Sequence, residues 1–356
     1  MIENSKKILV IIPHLDNLGL IKLCLSHLSK QSFKAFDILV VDNGSTDDSP
    51  KFLHKWQNEK VSDKEPGRHV IFLSDNTGFA HAVNLGFEYS IKHDYEYSIL
   101  LNNDAFTDKY FVENLYKKIL SKNKIFAVSS LMLKYNEDLS IEEQMENDFK
   151  GSIIDSFGDN YTIISYAYQN RTGENINVAT SDISCFSACG GASIYNNDYL
   201  QKTGFLDERF FAYLEDVDLS YRANLLGYRI YACKDAKCLH VGSATSGGKY
   251  NSFKVRLSSR NNIYLIYKNM PIVQILINSP FILAGTIVKL IYFIRKGFGL
   301  DYFFGIFDAI RSLDKIEKCD FSNISIYRFI KIELDLIMNL ILYIKNFLNR
   351  KIINKL

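Results

Sequence analysis

The pattern of apolar and polar positions begins with Lys7-Ile8-Leu9-Val10-Ile11-Ile12-Pro13, a β-branched run stopped by proline. Such a run predicts a strand buried on both faces. Leu20, Ile21, Leu23, Cys24, Leu25 and Leu28 then recur at helical spacing. A second strand, Asp37-Ile38-Leu39-Val40-Val41-Asp42, runs into the turn Asn43-Gly44, and Ser49-Pro50 offers an N-cap with proline at the first helical position. Val70-Ile71-Phe72-Leu73 predicts a third strand and Phe79 to Lys92 a third helix. Tyr97-Ser98-Ile99-Leu100-Leu101 predicts a fourth strand, ending in Asn102-Asn103-Asp104. This alternation predicts an α/β fold, a mostly parallel sheet flanked by helices. Residues 136–182 are polar and weakly periodic. From Ser184 the pattern resumes with a strand, a helix near Asn197–Thr203 and an acidic helix from about Glu215.

The end of the chain reads differently. Ile272 to Ile294 is mostly apolar, yet it contains Gln274, Asn278, Ser279, Pro280 and Lys289. Tyr327 to Leu356 mixes Ile/Leu stripes with Lys331, Lys345, Arg350, Lys351 and Lys355. A membrane span wants about 20 clean apolar residues, so amphipathic helices lying on a membrane surface fit better, with a soluble helical cap as the other reading. The 356 residues therefore divide into a large α/β domain, 1–268, and a helical, basic and apolar region, 269–356.

Composition sharpens this picture. An apolar fraction of 47% and an aromatic fraction of 13% supply a well-buried core and exclude disorder. The net charge of +2 hides an asymmetry: residues 245–356 hold 17 Lys/Arg against 7 Asp/Glu, a net of +10 beside −8 for the rest. An acidic body with a basic tail suggests a metal-using catalytic domain joined to something that meets anionic partners, a solvated basic bundle being the plainer reading. No nucleic-acid partner is expected. The polar start, Met1 to Lys7, leads straight into a strand, so the expectation is no secretory signal and a cytoplasmic location. The six cysteines should then be thiols. Cys185 and Cys189 fall in an expected strand, about 13 Å apart, which argues against a shared metal.

In parallel sheets ligands sit beyond the carboxyl ends of the strands. Those ends carry Pro13, Asp42-Asn43-Gly44, Asp75-Asn76 and Asn102-Asn103-Asp104. A carboxylate at the Asp104 tip suits Mg²⁺ or Mn²⁺, although aspartate there is also an ordinary turn former. In Phe210-Phe211-Ala212-Tyr213-Leu214-Glu215-Asp216-Val217-Asp218, three carboxylates crowd behind an aromatic run. Helix starts favour negative charge in any case. Carboxylates held against apolar walls, however, can have their pKa values tuned for proton transfer. His240 sits at a strand end before Ser243–Gly248, a Gly- and Ser-rich stretch suited to a lid, although a lone histidine is often structural. Cys189-Gly190-Gly191-Ala192 would let backbone approach a ligand closely, or mark a bulge.

Together these residues resemble the family 2 glycosyltransferases, specifically the bacterial rhamnosyltransferase-like branch. The matching segments are Val40-Val41-Asp42-Asn43-Gly44-Ser45-Thr46-Asp47, Asn76-Thr77-Gly78-Phe79-Ala80 with Asn84-Leu85-Gly86, Leu100-Leu101-Asn102-Asn103-Asp104, and Gly190-Gly191-Ala192. Gly204-Phe205-Leu206-Asp207-Glu208-Arg209-Phe210-Phe211 leads into the acidic cluster, and His240 and Arg260-Asn261 complete the set. The resemblance covers roughly residues 6–268. It implies a GT-A fold with a nucleotide-diphosphate sugar donor, dTDP-rhamnose or a UDP-sugar, and a glycan or lipid-linked acceptor. Pro13, Asp42 and Asn76 would frame base and ribose, with Asn43, Gly44, Gly78, Asn84, Asn102, Asn103, Gly190 and Gly191 completing the donor site. Asp104 would be the last acid of the family's DxD motif, here beginning with Asn102, and His240 a further ligand to Mg²⁺ or Mn²⁺. Asp216 would be the catalytic base of an inverting transfer, with Glu215 the second candidate.

Competing activities fit less well. A nucleotidyltransferase would want a Gly-rich, basic loop after the first strand, where this chain has Pro13-His14-Leu15-Asp16-Asn17. A dinucleotide oxidoreductase would need G-x-G-x-x-G there. A non-catalytic sugar-binding relative has no use for a base, so Asp104, Asp216 and His240 count against it.

Overall fold

The computed structural model describes residues 7–59, 62, 65–242 and 250–353, with side chains described to residue 348. The expected alternation is present as β1 (Ile8–His14), α1 (Leu18–Ser29), β2 (Phe36–Asp42), α2 (Ser49–Asn58), β3 (Arg68–Phe72), α3 (Phe79–Lys92) and β4 (Tyr97–Leu101). Helix α2 is offset by one residue from expectation. Asp48 occupies the N-cap and Pro50 the second helical position, because the Ser49 amide is taken by Asp47 Oδ1 at 2.9 Å.

Next come β5 (Ala105–Thr107), α4 (Phe111–Leu120) and β6 (Ile125–Lys134). The weakly periodic stretch folds into α5 (Ile141–Glu146) and three-residue strands β7 (Ile154–Ser156), β8 (Asp159–Tyr161) and β9 (Ala167–Gln169). Strands that short carry no readable period. The chain continues through β10 (Ile183–Ser184), β11 (Ala192–Asn196), α6 (Asn197–Thr203), α7 (Glu215–Leu225) and β12 (Arg229–His240). Four long helices close it: α8 (Ser252–Asn269), α9 (Ile272–Arg295), α10 (Gly299–Arg311) and α11 (Ile326–Ile353). Between Ser184 and Ala192 the backbone is irregular, so the strand spacing expected for Cys185 and Cys189 does not apply. All six cysteines are nonetheless unpaired thiols. The expected lid, Ser243–Gly248, lies outside the described residues.

The main sheet runs β10-β12-β6-β11-β4-β1-β2-β3, with β5 added to β12 and β7 to β6. Strands β4, β1, β2 and β3 are mutually parallel, and antiparallel β11 joins them to β6. Period-two alternation divides the core between the two faces: Ile8, Val10 and Ile12 enter one cluster, Leu9 and Ile11 the other. A third cluster joins Tyr161, Phe210, Val217 and Tyr221 to Ala309, Ile332 and Leu336 of the C-terminal helices.

Candidate active site

Strand register brings Asp104 and His240 together. Strand β5 pairs antiparallel with the end of β12, Ala105 opposite His240, and the Val241 amide donates to the Asp104 carbonyl at 3.1 Å. Asp104, 6% exposed, then lies with Oδ1 3.4 Å from His240 Nε2. The other ring nitrogen, Nδ1, faces Asp155 Oδ2 at 2.8 Å. Asp155 arrives on β7, which pairs with the end of β6 beside His240. Burial alone would lower the His240 pKa, but hydrogen bonds and charge from Asp104 and Asp155 prevail and push it up to about 10.

An imidazole nitrogen and a carboxylate oxygen suit a divalent ion, and two neighbouring ligands each ~2.1 Å from one ion stand roughly 3.0–3.5 Å apart. The pair at 3.4 Å meets that test. Asp155 on Nδ1 fixes the ring, so that Nε2 would face an ion held beside Asp104, as histidine ligands require. Among the described residues no group of three His, Cys, Asp or Glu side chains gathers as a ligand set.

The acidic cluster is held by a strained turn. Phe211, Tyr213 and Leu214 have φ of 63°, 70° and 69°, a left-handed conformation costly for such side chains. Asn261 of α8 stabilises it: its Nδ2 lies 2.8 Å from each of the Phe210, Ala212 and Tyr213 carbonyls. Arg260 Nη2 adds the carbonyls of Arg209 (2.8 Å) and Phe210 (3.2 Å). The turn delivers Asp216 against the glycine pair. Gly190 N donates to Asp216 Oδ2 at 2.9 Å and Val217 N to Oδ1 at 2.8 Å, while Gly191 O accepts from Asn102 N at 2.8 Å. Asp216 is thereby linked through Gly190-Gly191 to the strand tip that carries Asp104.

Burial raises the Asp216 pKa above the ordinary aspartate value against three backbone donors, Gly190, Val217 and its own amide, that lower it. Glu215 is buried with Oε2 lacking a partner among the described residues, and burial and the Asp216 charge push its pKa well up. Asp159, from β8, is raised in the same way by burial and by Asp216. Asp218 differs. Burial would raise it too, but Arg222 and Lys268 hold its pKa down, and Asn269 Nδ2 donates to it at 2.7 Å. It anchors the helix from inside the core.

The remaining expected residues line the tips of β1 to β3. Asp42 accepts from the Ser45 amide at 3.3 Å and from the Ser45 hydroxyl. Asn43 accepts from Thr77 N and Oγ1 (3.0 and 2.9 Å) and donates to Asn76 Oδ1 and Gly78 O (3.1 and 3.2 Å), knitting two loops together. Gly44 (φ +81°) and Gly78 (φ +93°) need their missing side chains: a Cβ would stand 2.6 Å from the Asp75 backbone and 2.5 Å from the Phe211 ring. Pro13 is half-buried in β1. Asn103 Nδ2 donates to His14 Nδ1 at 2.8 Å. Asn84 departs from expectation. Its amide is spent inside the protein on Leu206 N and O (3.0 and 2.9 Å) and Glu208 Oε1 (2.9 Å), so it braces the turn rather than facing the crevice.

Three residues escaped the sequence reading. Asp155 and Asp159 lie in the stretch without period. His14 follows Pro13 at a strand tip, a signal that was legible; it is buried, and its Nε2 has no partner among the described residues.

The sequence profile of Glycosyl transferase family 2 matches residues 9–204. The chain belongs to this family, and it is a glycosyltransferase. No curated protein matches the chain. Among solved structures, the mannosyltransferase PcManGT from Pyrobaculum calidifontis, in complex with GDP-Man and Mn²⁺, is 14% identical; the match covers 87% of this chain and 88% of that one, with a TM-score of 0.51. GalNAc-T7 with UDP, GalNAc and Mn²⁺ is 12% identical over 74% of this chain and 48% of its own, with a TM-score of 0.53. S. aureus TarS 1–349 in complex with UDP-GlcNAc is 15% identical over 87% and 92%, with a TM-score of 0.50. These likenesses show the fold, which is GT-A.

Proposed function

We propose that the chain is an inverting glycosyltransferase. It moves a sugar, rhamnose by the resemblance of its motifs, from a nucleotide-diphosphate donor to a glycan or lipid-linked glycan acceptor in cell-surface polysaccharide synthesis. The observation that carries this reading is the link from Asp216, across Gly190-Gly191, to the strand tip where Asp104 meets His240 and Asp155.

Asp104 and His240 would hold Mg²⁺ or Mn²⁺ at the diphosphate. The ion, when bound, supplies positive charge against the negative charge that grows on the leaving nucleotide. The tips of β1 to β3 frame the base and ribose, shaped by the Asn43 knot. Asp216 takes the acceptor proton as the hydroxyl attacks the anomeric carbon from the side opposite the departing diphosphate, and one displacement inverts that centre. The Gly190 and Val217 amides fix its carboxylate while half-burial keeps it reachable, whereas Glu215 is closed off. The apolar C-terminal helices are read as contact with the cytoplasmic membrane face, where a lipid-linked acceptor would lie.

Nucleotide release from dTDP-, UDP- and GDP-sugars, measured with Mn²⁺ and then with EDTA, tests the reading. Asp216→Asn should keep its melting temperature and lose about 10²–10⁴-fold in turnover. Retention of more than a tenth of wild-type turnover removes Asp216 as base. Full activity in chelator removes Asp104 and His240 as ligands.

A further inference from the structure

Helix α9 is built inside out. A helix in water turns apolar residues inward and polar ones outward. Here the buried positions are Gln274, Asn278 and Gly285, with Ile275, Ile282 and Lys289 partly covered, while Leu276, Val288 and Ile294 stand 65%, 63% and 59% exposed. The inward polar groups donate to protein partners: Gln274 Nε2 and Asn278 Nδ2 to Glu333 Oε2 of α11 at 2.7 and 3.0 Å, and Lys289 Nζ to Ser165 O at 2.7 Å, while Gln274 Oε1 and Asn278 Oδ1 are buried without a partner among the described residues. Helix α11 is apolar on two sides: it buries Ile332 and Leu336 along with Asn339, which donates to Tyr161 O at 2.9 Å, yet leaves Leu334 and Met338 more than half exposed. Helix α10 buries Tyr302 and Ala309 and exposes Phe303 and Ile310.

Polar side chains turned inward onto neighbouring elements and apolar side chains outside is the arrangement lipid imposes on a helix. We propose that α9, α10 and α11 seat the enzyme in one leaflet of an anionic bilayer without crossing it. The proposal deepens the membrane-face reading above and rests on it. With 24 residues α9 is long enough to cross, at roughly 36 Å against a ~30 Å hydrocarbon core. Both of its ends are tied to the catalytic body, however. Gln274 reaches Tyr221 of α7 at 3.5 Å, and Lys289, about 22 Å further along the helix, reaches the β8–β9 connection. A crossing helix would drag both attachments into hydrocarbon. The choice of bilayer over peptide follows from extent and charge: the exposed faces run along three helices, and exposed Arg295, Lys296, Arg311 and Lys315 stand at the ends of α9 and α10, where anionic headgroups would meet them.

The test uses the full chain with phosphatidylcholine vesicles, with and without phosphatidylglycerol. The chain should float with the anionic vesicles, and the double variant Leu276→Glu/Val288→Glu should lose about tenfold or more of that flotation while keeping its melting temperature. Cysteines placed at Pro271 and Lys296, the two ends of α9, should both react with an impermeant thiol reagent added outside. Protection of one end alone means that the helix crosses and overturns the proposal. Failure to float, or a stable dimer that floats with neither vesicle, overturns it in favour of no membrane or of a second copy. Nucleotide release is scored separately, so flotation without turnover sinks the transferase reading and leaves this one standing.

Discussion

His240 illustrates what a single residue gains from its neighbours. Although burial works against it, Asp104 and Asp155 on either side favour the protonated form of the metal-free ring, so an ion binding at Nε2 would compete with that proton. Asp155 favours the exchange, because it keeps accepting at Nδ1 and leaves the Nε2 lone pair directed at the ion. Asp155→Asn should therefore raise the Mn²⁺ concentration for half-maximal turnover by roughly 10–100-fold, with little change in maximal rate at saturating metal. An unchanged activation curve, measured by metal titration of nucleotide release, would reduce Asp155 to a packing role. Nothing in the sequence pointed to it. The partner of His240 lies 85 positions away in a stretch without period, and only the short pairing of β7 with β6 brings it there. Asp104 and His240 were legible because each ends a strand with a readable pattern.

Legibility follows the same logic among the elements. Helix α3 and strand β4 fall where periodicity puts them, since each is long enough to show its period and is packed against the sheet. The segment before Ala192 misled, because β-rich composition continued where the backbone bends to place Gly190 and Gly191 between Asp216 and Asn102. The turn before α7 was legible only as an aromatic run; its left-handed residues have no sequence signature. Asn261 is the element's fastener, and Asn261→Ala removes the donor to three carbonyls. Its two amide hydrogens are shared among those carbonyls, so at ~0.5–1.5 kcal/mol per hydrogen bond a loss of about 1–3 kcal/mol is expected. The loop should relax away from its strained geometry, so kcat should fall at least tenfold while donor KM stays near wild type. Loss of stability in a denaturant titration with kcat unchanged would mean that the strain has no catalytic use.

At the scale of the whole molecule, the third core decides whether the C-terminal helices are an appendage or part of the catalytic machine. Phe210, which begins the strained turn, is fully buried in the same cluster as Tyr221, Tyr264, Ile332 and Leu336. The loop that aims Asp216 therefore shares a core with α11, a helix whose far side is the apolar face proposed to meet lipid. Helix α11 packs on α7 and β8, so removing it would uncover Tyr161, Val217 and Tyr221, each fully or almost fully buried in the intact chain. Burial of such side chains contributes about 1.5–3 kcal/mol apiece, which is a large share of the ~5–15 kcal/mol that holds a typical domain together. A chain ending at Asn269 should accordingly aggregate or lose its cooperative melting transition. The milder Leu336→Ala, a cavity in the shared core costing about 2–5 kcal/mol, should stay folded and lower kcat by disturbing the turn from beneath. Calorimetry and nucleotide-release kinetics on the two proteins decide the matter: a truncated chain that melts like the full one and turns over at its full rate would make the helices a detachable anchor, and the dependence of Asp216 on them would fall with it.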